Sequence, residues 1–346
     1  DEAFIELLAS MPLRTNDVLN HGTYTSFKRQ LLSLAQRRGY RDADFMSSRV
    51  TVEALGGSAD LRLHMYSGER YRFGAVSYTG EQLSADLLQP LLAFEPGEYF
   101  DQALLQQTQA LLQRTGFFSA VIMRPRFEAV HDGAVPVEIQ LYPAPRHSFD
   151  VGLGWSTDTE ERVSVTWRTP RINRYGHSQE TRIQYSSVNP GGRTTYTIPL
   201  SHPLRDILQF SARVEDNEFG DLDSHQKELG VRREQRLENW VWGYSVRGLN
   251  ESWDVKGARR NNDYLLPGMS LSRRDHSGSA VNPSSGFSQL YSVELASAEL
   301  MSDVDLLRAT ANFGHIVSLG QRQRLVSRAE LGAALVADRN RINQAP

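Results

Sequence analysis

The chain has 346 residues, of which 40% are hydrophobic, and a formal net charge of −3. Its mean hydropathy of −0.45 and the lack of any apolar run of about 18 residues exclude a helical membrane protein. The near-neutral charge argues against a broad nucleic-acid surface, and the absence of cysteine rules out disulfides and thiolate zinc. A cysteine-free chain is compatible with a bacterial envelope compartment. The sequence opens at Asp1 with neither an initiator Met nor a signal peptide, and so reads as a mature or trimmed product.

The first 145 residues mix helix and strand in a pattern that occurs twice. Residues 1–70 form the first copy, which starts inside a helix carrying Phe4, Ile5, Leu7 and Leu8. Tyr24, Phe27, Leu31, Leu34 and Ala35 recur at helical spacing, with Gly39 as the stop. Val50 and Val52, a Gly56-Gly57 turn, and Leu61, Leu63 and Met65 then predict a hairpin with one buried face.

Residues 71–145 form the second copy. A strand over 71–78 and a short helix around Leu87–Leu92 precede a longer helix, which starts after Asp101 as N-cap and stops at Gly116. Its one-sided residues are Leu104, Leu105, Thr108, Leu111 and Leu112. A second hairpin runs through 121–127, turns at His131-Asp132-Gly133, and returns through Val137, Ile139 and Leu141. Gly22 and Tyr24 in one copy match Gly97 and Tyr99 in the other, and Gly39-Tyr40 matches Gly116-Phe117. Two tandem β-α-α-β-β modules are predicted, the first without its opening strand.

From residue 146 to 346 helical periodicity disappears. About eleven segments of roughly ten residues alternate apolar and polar, beginning near residues 148, 162, 177, 193, 206, 224, 239, 263, 286, 306 and 323. The first places Phe149, Val151, Leu153 and Trp155 on one parity and Asp150, Gly152, Gly154 and Ser156 on the other. A soluble sandwich also alternates. Three features favour a barrel in lipid instead. One parity is rich in Arg, Gln and Glu, as in "KELGVRREQR" (227–236), and suits a wet lumen. The segments are longer than ordinary strands. Trp155, Trp167, Tyr175, Trp240 and Trp253 fall near segment ends, as an interfacial girdle requires. Only a closed barrel satisfies the strand backbone inside a bilayer.

If the first strand leaves the periplasmic side, the outer connections include 215–223 and 254–262, and the periplasmic ones 171–176, 201–205, 236–239 and 276–286. Eleven strands is an odd number, whereas bacterial barrels use an even one, so the chain is expected to stop inside a barrel.

Here the sequence resembles a known group, the POTRA-plus-barrel superfamily of outer-membrane assembly and secretion proteins. Within it, the chain resembles the TamA type, the outer-membrane subunit of the translocation and assembly module. The stretches that carry the resemblance are "SGERYRFG" (67–74), "LLQRTGFFSAV" (111–121), "VGLGWSTD" (151–158), "NRYGHS" (173–178) and "SDVD" (302–305). They keep their order along the chain. The group has three modules and sixteen strands, so one module and about five strands are missing, and its Arg-Gly motif would lie beyond Pro346.

The resemblance implies α+β periplasmic modules feeding an all-β transmembrane antiparallel barrel in the bacterial outer membrane. It further implies a non-enzymatic insertase for autotransporters and other β-barrel proteins, working with a TamB-like inner-membrane partner, with lipid transport as a variant task. The expected partners are unfolded outer-membrane clients and outer-membrane lipid. In that group the first barrel strand, here Phe149, Val151, Gly152, Leu153, Gly154 and Trp155, forms one side of a lateral seam. A two-partner secretion transporter is the alternative. A passive porin has no need of tandem periplasmic modules.

Residue chemistry supports a strand-handling role. Glycine inside a strand costs conformational entropy and packs nothing, so Gly152 and Gly154 either weaken the first strand or make room in a crowded lumen. The strand edges at 49–54 and 121–127 offer unpaired backbone groups to an extended client. Val121, Ile122, Met123 and Arg124 are the candidate pairing edge, with Pro125 capping part of it. No catalytic signature was found. No two histidines lie within five residues, and no G-x-S-x-G or phosphate-binding loop occurs. Gly152-Leu153-Gly154 is only a fragment of a dinucleotide fingerprint. Asp216, Asp221 and Asp223 read as a solvated loop rather than a Ca²⁺ site, because the EF-hand spacing is missing. No cofactor or metal is expected.

Overall fold

The computed structural model describes residues 1–53, 55–80, 83–156, 160–219, 222–255, 258–279, 281–320 and 323–337. The chain divides into two compact units, 1–82 with 91–143, and 83–90 with 144–346.

In the first unit, α1 (Glu2–Ala9) and α2 (His21–Arg37) precede the antiparallel pair β1 (Asp44–Glu53) and β2 (Ser58–Tyr66). Asn20 caps α2 by accepting from Thr23 N, so Gly22 and Tyr24 lie inside the helix rather than before it. Tyr24, Phe27, Leu31 and Ala35 are its buried stripe. Gly39, at φ +90, ends it, with Tyr40 N donating to the Ala35 carbonyl, the 6→1 bond of a left-handed cap. The hairpin face is half-buried, and Val52 is exposed.

The following elements are β3 (Arg72–Gly80), α3 (Ala85–Leu88), a 3-10 turn (Gln89–Leu91), α4 (Gln102–Arg114), β4 (Phe118–Pro125) and β5 (Ala134–Pro143). Their sheet order is β3-β5-β4. The first strand runs parallel to β5, and β4 runs antiparallel to it. Val135, Val137, Ile139 and Leu141 are at most 1% exposed, as alternation on a central strand requires. Phe73 stacks on Phe94 at 3.9 Å and meets Phe100 at 5.0 Å. The buried Thr108 hydroxyl accepts from Ala93 N at 2.9 Å, satisfying the one polar atom that this face of α4 brings into the core.

Gly80, at φ +94, lies so close to β5 that a Cβ would strike the Leu141 carbonyl oxygen. Gly80→Ala combines a disfavoured backbone with a backbone clash, and is expected to lower stability by about 1–3 kcal/mol. A thermal melt followed by near-ultraviolet dichroism checks this.

Within this unit, the end of α2 meets the start of α4 at a charged joint. Arg38, capping the end of α2, donates to Asp101, the N-cap of α4, at 2.7 Å, and to Asp1 at 2.9 Å. Arg70 and Arg72 lie over the Tyr99 ring at 4.6 and 3.9 Å. The Tyr71 hydroxyl donates to Asp42 at 3.0 Å, and that bond holds the phenol above its usual range.

The second unit contains an eleven-stranded antiparallel meander in strict chain order. Its strands are β6 (Ser148–Ser156), β7 (Glu160–Thr169), β8 (Ser178–Ser186), β9 (Gly191–His202), β10 (Asp206–Phe219), β11 (Leu222–Leu237), β12 (Trp240–Val255), β13 (Ala258–Gly278), β14 (Pro283–Ala296), β15 (Leu306–Ser318) and β16 (Arg324–Val336). The alternation resolves into cross-strand apolar rows. Val151, Val165 and Ile183 form one. Tyr196, Phe210, Val231, Val246 and Pro267 form another. Most of these side chains are exposed, which is the inverse of a soluble sandwich core.

Four features depart from the sequence reading. Residues 215–219 and 222–226 are not a loop but paired strand, with Glu215 opposite Gln226 and Phe219 opposite Leu222. The same holds at 254–255 and 258–262, where β12 and β13 stay paired to Val255 and Ala258. Several strands therefore exceed ten residues, reaching 21 in β13. Trp253 has the opposite parity to Trp240 and pairs with Ser224 and Arg260, so it is not part of an aromatic girdle on the apolar face.

The fourth concerns the polar face, which is not wet throughout. Leu249, Tyr264, Leu266, Ala296, Val304 and Leu306 form a dry cluster there, at most 7% exposed, with Val336 against it. Pro267 explains its position. The β13–β14 ladder starts at Gly268, and a proline has no N–H to extend it. The 297–305 connection takes over along β13. Ser302 Oγ accepts from Leu265 N at 2.9 Å, and Asp303 accepts from Asp263 N at 2.7 Å. Asp303 N donates back to the Asp263 carbonyl at 2.9 Å. The "SDVD" stretch thus replaces a missing strand and closes the cluster with Val304.

Candidate functional site

Two strand edges carry the residues singled out by sequence. In the first unit, β4 is bonded to β5 on one side only. It covers Phe118–Pro125, and the chain beyond it turns into a 3-10 turn at Phe127–Ala129, so the strand ends short of the expected 127. Val121 is buried, Ile122 is exposed, and Met123 is half-buried. Arg124 sits opposite Glu138. Pro125 offers this edge no donor, and Arg126 N turns back to the Pro136 carbonyl at 2.8 Å. The other candidate edge, in β1, ends at Glu53; Ala54 lies outside the described residues.

In the second unit, β6 pairs with β7 from Ser148 to Ser156. Phe149, Val151, Leu153 and Trp155 are 63–81% exposed on its apolar face. The strand is held unevenly. At its start, Phe149 stacks on Trp167 at 6.2 Å with rings 10° apart, and Asp150 accepts from Arg168, which also reaches Glu180 at 2.7 Å. Further along, Gly152 faces Ser164 and Gly154 faces Arg162 with no side chain of their own.

A Cβ at Gly152 would meet only the Ser164 hydroxyl, at 2.7 Å, which can rotate away. At Gly154 nothing among the described residues lies within 4 Å. Crowding therefore does not explain Gly154, whereas weakened packing along the distal half of β6 fits both glycines.

Sequence reasoning missed an ion network across the polar face. Arg213 bridges Glu215 at 3.2 Å and Glu228 at 3.1 Å. Glu228 also binds Arg247 at 2.7 Å, and Arg247 continues to Glu294 and on to Arg308. The chain of charges spans β10, β11, β12, β14 and β15. Parity alone places these residues on the polar face, but their pairing needs the strand register.

Among the described residues, no three His, Asp or Glu side chains gather to hold a metal. Asp216 is engaged by His225; Asp223 stands opposite Glu218; Asp221 lies outside the described residues. No described helix is long and apolar enough to cross a membrane.

The family model "Surface antigen variable number repeat", POTRA, matches residues 71–143. The chain carries a POTRA domain. Its β3-α3-α4-β4-β5 order, with β4 on an edge, belongs to that domain. Solved structures that resemble nearly the whole chain include a BamA and a CdiB. BamA from Haemophilus ducreyi lacking POTRA domains 1–3 superposes with a TM-score of 0.75 at 13% identity, covering 97% of this chain and 69% of that one. CdiB from Acinetobacter baumannii gives 0.52 at 10% identity, covering 97% and 65%. The chain thus spans about two thirds of each. Its fold is a POTRA domain followed by the antiparallel sheet of a BamA-like barrel. These likenesses do not single out the TamA type within that architecture.

Proposed function

We propose that this protein is a non-enzymatic outer-membrane insertase, with its POTRA domain in the periplasm, that helps autotransporters and other β-barrel proteins fold into the membrane. Uneven anchoring of β6 supports this reading. The strand is fixed at Phe149 and Asp150 and bare at Gly152 and Gly154, so it parts from its neighbours from the distal end, where a client strand enters. The free edge of β4 at Val121, Ile122, Met123 and Arg124 offers a first place for that client to pair. A TamB-like inner-membrane protein is the partner that goes with a TamA-type role, and lipid the other substrate.

The test is the double variant Gly152→Val/Gly154→Val in the full-length protein, reconstituted in liposomes. Valine raises strand propensity and adds packing along β6, so the variant should melt no lower than wild type and fold a client barrel several-fold more slowly. A stable variant with unchanged client folding removes the seam role of β6. A second reading, a two-partner secretion transporter, is favoured by the charged polar face, where Arg232, Arg236, Arg274 and Arg328 line a cleft of about 990 Å³. An exporter works through that face, so the glycine variant should leave export unchanged.

A further inference from the structure

The first unit contains a cleft of about 590 Å³ where the end of α2, one face of α4 and the β4 edge converge. We propose that it receives an extended polypeptide segment and selects one with a carboxylate side chain at the end that lies against Pro125. The proposal rests on the strand-pairing role given above to β4, and adds the chemical class of segment that the edge prefers.

Charge makes the selection. Arg37 and Arg41 both line the cleft, and among the described residues neither forms an ion pair. The neighbouring acids are already engaged: Glu128 and Glu138 by Arg126, at 3.1 and 3.0 Å, Asp101 by Arg38, and Asp42 by the Tyr71 hydroxyl. Arg41 lies over the Phe127 ring at 4.8 Å, which fixes its guanidinium just past the end of β4. An added strand stops there, because Pro125 has no N–H to continue a ladder. A carboxylate at that end meets two guanidiniums that no described acid pairs with, and a charge-assisted bond to Arg is stronger than a neutral one.

The wall opposite the edge suits a peptide backbone. Gln102, Gln106 and Gln109 recur at i, i+4 and i+7 along α4 and line the cleft. Each amide both donates and accepts. Gln109 Nε2 already donates to the Val121 carbonyl at 2.8 Å, a side-chain N–H standing where an incoming strand's N–H would be. Docking exchanges one such bond for another.

The probe is a fluorescein-labelled eight-residue peptide of alternating threonine and valine, blocked at both termini, with one aspartate near either end. Its asparagine counterpart is the control. Anisotropy is read on the full chain in nanodiscs. An aspartate peptide should bind about tenfold more tightly than the asparagine peptide, and raised salt should erase the difference. Arg37→Gln/Arg41→Gln should bring the two peptides to equal affinity, and Arg37→Lys/Arg41→Lys should restore much of the preference. If the glutamine variant does not fold, the lysine variant and the salt dependence carry the test.

Equal binding of both peptides to wild type overturns the proposal, as does displacement of the aspartate peptide by phosphatidylglycerol vesicles, which would make the cleft a lipid site. Client folding is measured in the same preparation. Accelerated folding without peptide discrimination overturns the cleft alone. Discrimination without accelerated folding supports the cleft and overturns the insertase.

Discussion

If the large sheet sits in the outer membrane as proposed, Val165→Arg should destabilise it by about 2–4 kcal/mol, the cost of a cation on the lipid face of a barrel near mid-membrane. Val165 lies midway along β7 on the apolar face, between Val151 and Ile183. It has no acid beside it in that row, so the guanidinium can reach neither a partner nor water without bending its strand. Ser164→Arg is the matched control. Its side chain points to the polar face, opposite Gly152 and Gln184, where the missing glycine side chain leaves space. Denaturant titrations in lipid should rank Val165→Arg far below wild type and Ser164→Arg close to it. The reverse order would mean that the register is slipped by one residue, which exchanges the faces of every strand.

The second large effect is expected at Glu228. Its side chain is 9% exposed and accepts from both Arg213 and Arg247. Glu228→Ala leaves two guanidiniums facing each other with their shared acceptor gone, a loss of about 3–5 kcal/mol when one partner of a buried pair is removed. Arg213 keeps Glu215 and Arg247 keeps Glu294, which places the result toward the lower end. Arg213→Gln in the Glu228→Ala background should recover part of the loss by removing one of the two guanidiniums left facing each other. If the two changes simply add in unfolding titrations, the residues are not coupled and the network is a set of separate surface pairs.

Much of the architecture was legible in the sequence, for reasons particular residues make plain. Tyr24 to Ala35 and Leu104 to Leu112 have helical spacing because only one side of each helix is covered. The eleven strands of the large sheet announced themselves where one parity is apolar, as at Phe149 to Trp155. The same rule explains the errors. At 215–219, 222–226, 254–255 and 258–262 the sequence is mostly polar, so alternation fades although the backbone stays paired, and a strand reads as a loop. Trp253 was grouped with Trp240 by nearness to a strand end, yet a parity count along β12 separates them.

The candidate edges were visible as segments, but their surroundings were not. Nothing local links Arg37 and Arg41 with Gln109 and Met123, which come from three different elements and meet only in the folded unit. The ion network was hidden for a related reason. Glu228 and Arg247 are ordinary polar-face residues until register sets them side by side. The dry cluster depends on Pro267 ending one ladder and Ser302 and Asp303 completing it, a substitution of loop for strand that periodicity does not encode.

The order of the large sheet, β6 to β16 without a crossover, has a kinetic consequence. Every ladder closes a short loop between chain neighbours, so its contact order is low for an all-β structure, and the entropy of loop closure is met in ten small instalments. The sheet can lengthen one hairpin at a time from any pair already formed. In the POTRA domain, by contrast, the parallel β3–β5 ladder joins Phe73 to Val135 and waits for two helices and β4 to be in place between them. The slow, all-or-none step in the folding of this chain therefore belongs to the three-stranded POTRA sheet, and the largest sheet grows by increments.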